Sequence, residues 1–555
     1  MMHPNHSTPR SIRHLSRPFI SGVLTVATLD LATGCARTPF ALSDEDFAPL
    51  VDASRLRSVP KADLDRYRVP TPSSQPPNPN PFEGLDRVPL TIEQCRASAL
   101  EHNLDLKVTT LNPAIAQTQI DEEAAKFTAA FTLRSLWREL DQPTASQLVS
   151  TQLSQQLVEP GVRVPLLTGG SATISLPMSR TKDTNPFTVT DATYTTDAQF
   201  SISQPLLRGA GRRAATAPLR IASLNAQAMQ AATTIEVIRQ LAAVDRAYWR
   251  LNQAHGTLDV RLQQLELAKQ QLERAKRRAA AGDAAEIEVT RAEAGVADSL
   301  DAIFTANTTY KDQDRELKQI VNLPGLTLRS QALINPESPP DPVQYQFDRD
   351  TLIAQSLDNR IDLLELELRL AADAVNINLA KNAALPLLSL DYTYRVNGLG
   401  DSFTRSYKSL SDNQFTDWEL GLSADIPLNN DEARARVHRA VLTRLQRLST
   451  REARELQITR EVLAAIDSID SAWQRILAAR QSVILNTRTL TAEQRQFDLG
   501  LSTSTNVLDA SSRLAEARLA ELQALTDYQI AQTDLAFATG TTLGQSQVSW
   551  TVPTP

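Results

Sequence analysis

A set of matched residues held at a constant separation of 218 positions constrains this chain more than any other feature. Ala247-Tyr248, Leu251, Ala254, Gly282, Val289, Ala292 and Tyr310 recur as Ala465-Ile466, Ile469, Ala472, Gly500, Val507, Ala510 and Tyr528. An offset kept over more than sixty positions means that one supersecondary unit is given twice. Upstream, Ala99-Leu100-Glu101-His102-Asn103-Leu104-Asp105-Leu106 pairs with Ser356-Leu357-Asp358-Asn359-Arg360-Ile361-Asp362-Leu363, now 257 positions apart. The offset changes by 39, so the first copy holds extra chain in its middle. Each copy reads as helix, strands, long helix, turn and return helix.

The helical parts are rich in Ala, Leu, Gln and Glu and nearly free of Gly and Pro. The run from Ala217 to Ala281 is interrupted only by Pro218, tolerated in a first turn, and by Gly256. Such a helix is about 100 Å long at about 1.5 Å per residue. Leu251, Leu258, Leu262, Leu265 and Leu272 step by threes, fours and sevens, as coiled-coil packing requires. Gly282 and Gly500 each stop a long helix, and a second helix returns from there. Helices near 91–126 and 284–322 are about half as long, so two stacked end to end match the long one.

Between the helices lie segments of strict alternation. Trp418, Leu420, Leu422, Ala424 and Ile426 alternate with Glu419, Gly421, Ser423 and Asp425; Leu388, Leu390, Tyr392, Tyr394 and Val396 alternate with polar residues. Tyr194, Phe200 and Ile202 share one face of another segment, and Phe131, Leu133 and Trp137 one face of a fourth. Isolated hairpins cannot form a core of their own. They become stable when several chains pool them into a closed barrel with lipid outside and water inside. Mean hydropathy is −0.27, and beyond the first 35 residues no apolar run is long enough to span a membrane as a helix. A membrane-spanning form of this chain is therefore a barrel.

The N-terminus reads as a targeting segment. Arg10, Arg13 and Arg17 precede a mostly apolar stretch from Phe19 to Ala32, and Ala32-Thr33-Gly34-Cys35 follows. Small residues before a Cys resemble a bacterial lipobox, in which the Cys takes a diacylglycerol. An ordinary secretory signal with an incidental Cys is the other reading. A Pro-rich segment then extends to about residue 88 and reads as a tether. This divides the chain into 1–35 signal, 36–88 tether, 89–325 first repeat, 345–545 second repeat and 546–555 tail, with strands expected near 129–141, 193–207, 386–398 and 416–428.

Given twice, the order strand, Pro-Leu, basic turn, long Ala-rich helix, Gly turn and Val-Leu-Asp-Ala helix resembles the TolC-like outer-membrane efflux proteins. The carrying residues are Ser203-Gln204-Pro205-Leu206-Leu207-Arg208-Gly209, Asp425-Ile426-Pro427-Leu428, Gly500 and Val507-Leu508-Asp509-Ala510. The resemblance spans about 89–545. It implies a mainly α fold with β: antiparallel coiled-coil helices forming a periplasmic α-barrel, and four or more strands per chain completing a trimeric, twelve-stranded transmembrane β-barrel. It implies an outer-membrane channel exporting small molecules (drugs, metals) or proteins, with a periplasmic adaptor and an inner-membrane pump as partners. Pro205, Pro386 and Pro427 fall at the family's helix–strand junctions, with Ala129 where the second repeat has Pro386. The segment 142–192 is longer than the family's extracellular loop; Ala172, Ile174, Leu176 and Met178 alternate within it after Gly169-Gly170. It is expected to project as a hairpin loop, the other reading being extra barrel strands.

The resemblance also implies a periplasmic gate. Asp509 matches the second acidic position of its constriction ring, and Asn506 stands at the first. Ser502 occupies the position of a ring-closing Arg, Phe497 that of the aromatic partner, and Glu288 matches an acidic partner in the first repeat. The gate is thus expected without its Arg-based salt bridge, and Asp509 as plain solvated charge is the alternative.

No enzyme is expected. His3, His6, His14, His102, His255 and His438 have no metal-ligand spacing, and no cofactor is implied. Gly209-Ala210-Gly211 lacks the third glycine of a dinucleotide loop. Cys95 reads as a small buried apolar residue. A net charge of −7 with no basic stripe argues against nucleic-acid binding. The rival functions are a periplasmic adaptor, which would carry one hairpin flanked by compact β-domains, and a coiled-coil lipoprotein without a pore.

Overall fold

The computed structural model describes residues 86–143, 151–183 and 190–546. The signal segment, Cys35, the tether up to residue 85 and the tail beyond 546 lie outside the described residues. The first repeat runs β1 (Arg87–Leu90), α1 (Ile92–His102), α2 (Leu104–Thr109), α3 (Leu111–Ala125), β2 (Ala130–Asp141), β3 (Gln152–Pro165), β4 (Ser171–Ser175), β5 (Met178–Asp183), β6 (Thr193–Thr196), β7 (Ala198–Pro205), α4 (Arg212–Ala215), α5 (Ala217–Ala280), α6 (Glu286–Val321) and β8 (Leu333–Pro336). The second runs α7 (Arg349–Asn359), α8 (Ile361–Ala383), β9 (Leu387–Asn397), β10 (Leu399–Gly400), α9 (Phe403–Ser411), β11 (Phe415–Asp425), α10 (Asp431–Asp498), α11 (Ser504–Thr539) and α12 (Thr542–Gln545). The long helices α5 and α10 have 64 and 68 residues. At about 1.5 Å per residue each is about 100 Å long.

The one helix expected at 91–126 is three. Thr91 and Gln94 form a reciprocal capping box at α1, and the Asn103 side chain accepts the Leu106 N–H to restart the chain as α2. Asn103 also donates to the Ile320 carbonyl at the end of α6. Its repeat counterpart Arg360 donates to the Ala538 carbonyl at the end of α11, so the repeat is preserved contact by contact. Residues 87 and 88, expected in the tether, belong to β1, which pairs in parallel with β8.

The core lies in the helical part, in clusters centred on Tyr248, Leu251, Ile303 and Leu317 in the first repeat and on Ile458, Ile466, Ile476 and Tyr528 in the second. Each fully buried Leu or Ile there contributes about 1.5–3 kcal/mol. Tyr310 and Tyr528, one repeat apart, each donate a hydroxyl to a carbonyl of the segment that joins the repeats, at Ile334 in β8 and at Val343 respectively. Cys95 is fully buried, and that burial pushes its thiol up to about 12.

The strands beyond β1 and β8 form one sheet among the described residues. Its order is β2, β3, then β4 with β5, then β6 with β7, then β9 with β10, then β11, each neighbouring pair antiparallel. Segment 142–192 therefore departs from the projecting loop expected of it. Its hairpin of β3 against β4 and β5 lies in the plane of the sheet, between β2 and β7. Register explains this: Val162, Ile174 and Phe200 are direct cross-strand neighbours, so the segment's alternation continues the apolar face on both sides.

Pro205 ends β7, Pro386 precedes β9 and Pro427 follows β11. There the chain passes from sheet to helix. The Leu206 and Arg208 N–H groups donate to the carbonyls of Leu388 and Pro386, and the Gly209 N–H donates to Asn382 Oδ1 at 2.7 Å.

Candidate functional site

The two long helices end in the same way. The N–H groups of Gly282 and Asp283 donate to the carbonyls of Ala279 and Arg278; those of Gly500 and Leu501 donate to Phe497 and Gln496. These are paired Schellman turns, with φ of +82° at Gly282 and +78° at Gly500, a backbone region where a side chain is strained. The return helices α6 and α11 start a few residues later, and the Thr503 side chain caps α11 through the Asn506 N–H.

Three contacts join the two tips. Glu288 at the start of α6 accepts the Ser504 N–H at 2.8 Å and pairs with Arg291 at 3.0 Å. Gln271 of α5 donates to the buried Ser504 hydroxyl at 3.3 Å. Arg278, in the last turn of α5, places its guanidinium 4.9 Å from the centre of the Phe497 ring and donates to the Phe497 carbonyl. Phe497 is itself buried, among Leu490, Val507, Ala510 and Leu514. A separate chain of bonds orders the second turn: Asn506 donates to the Ser502 hydroxyl at 3.1 Å, and Ser502 donates to Glu493 at 2.8 Å.

Of the residues singled out by sequence, Glu288, Phe497, Ser502 and Asn506 thus meet at one tip. Asp509 stands apart, exposed on α11 at a cleft of about 440 Å³ between α5, α6 and α11, where Arg261, Arg291 and Asp298 also border the opening. Sequence reasoning missed Arg278, because an Arg-Arg pair in a last helical turn reads as ordinary complement to the helix dipole.

It also missed a buried ion cluster at the far end of α11. Arg360 meets both oxygens of Asp362 at 3.0 and 2.8 Å and pairs with Glu461, while Arg454 pairs with Asp362 at 2.7 Å. Burial raises the Asp362 carboxyl, but hydrogen bonds and charge from Arg360 and Arg454 outweigh it and hold the group below the usual carboxylate value. Among the described residues no cluster of His, Cys, Asp and Glu suits a metal ion.

Residues 352–541, most of the second repeat, match the outer membrane efflux protein domain. Over 196 residues the chain is 28% identical to Outer membrane protein TolC of Vibrio cholerae, a match covering 35% of this chain and 43% of that protein, less than half its length. Over 430 residues it is 24% identical to Pyoverdine export outer membrane protein OpmQ of Pseudomonas aeruginosa, covering 72% of this chain and 87% of that protein. The chain is similar to the outer membrane efflux proteins in sequence, most clearly in its second repeat. In fold the chain is similar to the outer-membrane channel OprN (TM-score 0.59, 17% identity, 81% of this chain and 89% of that one). VceC of Vibrio cholerae is similar as well (TM-score 0.61, 16% identity, 81% and 96%).

Proposed function

We propose that three copies of this chain form an outer-membrane export channel, its sheets pooled into a barrel and its helices into a periplasmic duct. The observation that carries the reading is a two-faced sheet standing on helices about 100 Å long. Trp418, Leu420 and Leu422 expose more than half their surface on one face, while Asp417, Glu419 and Ser423 occupy the other. A water-filled barrel gives each face the solvent it needs. A periplasmic adaptor and an inner-membrane transporter complete the path, and the cargo is a small molecule or a protein. In this reading Cys35 is the lipid-carrying N-terminus, and Asp509 lies at the constriction, with Glu288 in the neighbouring helix pair. Outer-membrane fractionation with heat-modifiable migration tests it: a trimer that falls to monomer only on boiling is expected, and co-fractionation with the inner membrane would favour an adaptor instead.

A further inference from the structure

We infer that each subunit supplies six strands to the barrel wall, so that three copies close an eighteen-stranded barrel instead of the family's twelve. This rests on the export-channel reading and concerns the width of its outer end. Four strands, β2, β7, β9 and β11, are those the repeat supplies. The other two are β3 and the interrupted strand formed by β4 and β5, and three observations place them in the wall.

First, in the half of the sheet nearer the helices the apolar face runs on through them, giving way beyond Val158 and Met178 to Gln156, Arg180, Ser154 and Lys182. Trp418, Tyr394, Phe200, Ile174, Val162 and Phe131 form one row of direct cross-strand neighbours from β11 to β2. The opposite face is equally consistent, with Asp417, Arg395, Gln199, Ser175, Gly161 and Thr132 in a row. A loop free of the bilayer has no reason to keep this register.

Second, the hairpin spans the height of the sheet. Its tight turn, closed by the Leu166 N–H donating to the Gly170 carbonyl, reaches the point where β7 becomes helix. There the Gly211 N–H donates to the Thr168 carbonyl at 2.9 Å, and the Thr168 hydroxyl meets Gln204 Oε1 at 2.6 Å. A Cβ on Gly169 would lie 2.1 Å from the Gly209 carbonyl oxygen, so the turn is seated against the junction.

Third, the interruption does not release the hairpin. Between β4 and β5 the Leu176 N–H still donates to the Pro160 carbonyl of β3, and the Asp197 N–H donates to the Pro177 carbonyl from the other side. The strand kinks at a residue with no donor and remains in the sheet. Among the described residues the long strands paired on one side only are β2 and β11, and each presents large apolar residues there: Phe131, Leu133 and Trp137 on one, Trp418, Leu420 and Leu422 on the other. Another copy of this chain supplies the missing partner at each edge. Because barrel diameter grows roughly in proportion to strand number, the eighteen-stranded wall is about one and a half times as wide as a twelve-stranded one.

The test uses the full chain in outer-membrane fractions. Opposed residues on neighbouring strands have Cβ atoms about 4.5–5.5 Å apart, close enough for a disulfide. The pairs Phe131→Cys with Val162→Cys, and Ile174→Cys with Phe200→Cys, are expected to close on mild oxidation. Phe131→Cys with Phe200→Cys, which would be neighbours if β2 paired directly with β7, is expected to stay open. Strand counting by cryo-electron microscopy of the unmodified trimer is expected to give eighteen. Closure of the Phe131–Phe200 pair, or a count of twelve in a heat-modifiable barrel, would overturn the inference and leave the export-channel reading standing. A wild-type chain with no heat-modifiable species would overturn both.

Discussion

The guanidinium of Arg278 lies over the ring of Phe497, joining the tip of the first helical hairpin to that of the second within one chain. Ser502, where the resemblance implies a ring-closing Arg, donates instead to Glu493. Arg278 thus supplies a cation at the tip from the other repeat. A cation over an aromatic face is worth about 0.5–2 kcal/mol. Arg278→Ala is expected to raise the open probability of single channels by about 5- to 30-fold, the factor that one to two kcal/mol represents. Arg278→Lys, which keeps the charge without the flat guanidinium, should fall between. Unchanged gating in both would show that the contact only packs the tip.

Asp509 is predicted to set ion preference. Three exposed carboxylates brought together near an axis repel one another and attract cations. Asp509→Ala should lower cation selectivity and weaken block by divalent ions in planar bilayers, with trimer assembly unchanged. Selectivity and block equal to wild type would return Asp509 to ordinary surface charge.

The two faces of β11 are predicted to differ sharply in tolerance. Leu422→Arg places a charge on the apolar face, at a cost of about 2–4 kcal/mol at mid-bilayer, and the neighbouring Ser423→Arg places it toward water. The first should reduce the yield of heat-modifiable trimer and the second should not. Equal yields would invalidate the assigned facing.

Acid is expected to loosen the chain at Asp362. Its folded-state carboxyl titrates below the ordinary value of 3.8, so its contribution is complete above that pH. The contribution is lost as pH falls through the lower, folded-state value. Asp362→Asn should remove this part of the acid sensitivity and lower thermal stability at neutral pH, since it takes from Arg360 and Arg454 the carboxylate they share. Melting curves followed by circular dichroism between pH 7 and pH 2 would check it; a variant as acid-sensitive as wild type would place the effect elsewhere.

Lipidation of Cys35 is checked by metabolic labelling with a fatty-acid probe. Cys35→Ala should abolish the label, and an unacylated mature N-terminus at another residue would remove the proposal.

The helices and four of the wall strands were legible because their signals are long. Tyr310 and Tyr528 stand at a fixed offset, and Trp418, Leu420 and Leu422 alternate without a break. The inserted hairpin was only half legible. In β3 the alternation survives as Val158, Val162 and Val164, interrupted by Pro160-Gly161, and in its partner it breaks at Leu176-Pro177. Both flaws fall where the two strands face each other, so the pairing that repairs them is invisible in either alone. At the tip, Glu288 was legible as an acid near the turn, but its partner Ser504 lies 216 residues away. A bond of that kind follows only from the fold.

None of the buried apolar side chains among the described residues comes from the large sheet; all belong to the helices, to β1 and β8, or to the segments joining them. The helical part therefore carries its own core, and in the export-channel reading the sheet buries its apolar face only where lipid replaces water. In that reading the subunit is a protein for two solvents, and until it assembles its long edge strands β2 and β11 stand open to any passing strand. Its most hazardous moment is the interval after the helices have set and before its sister copies arrive.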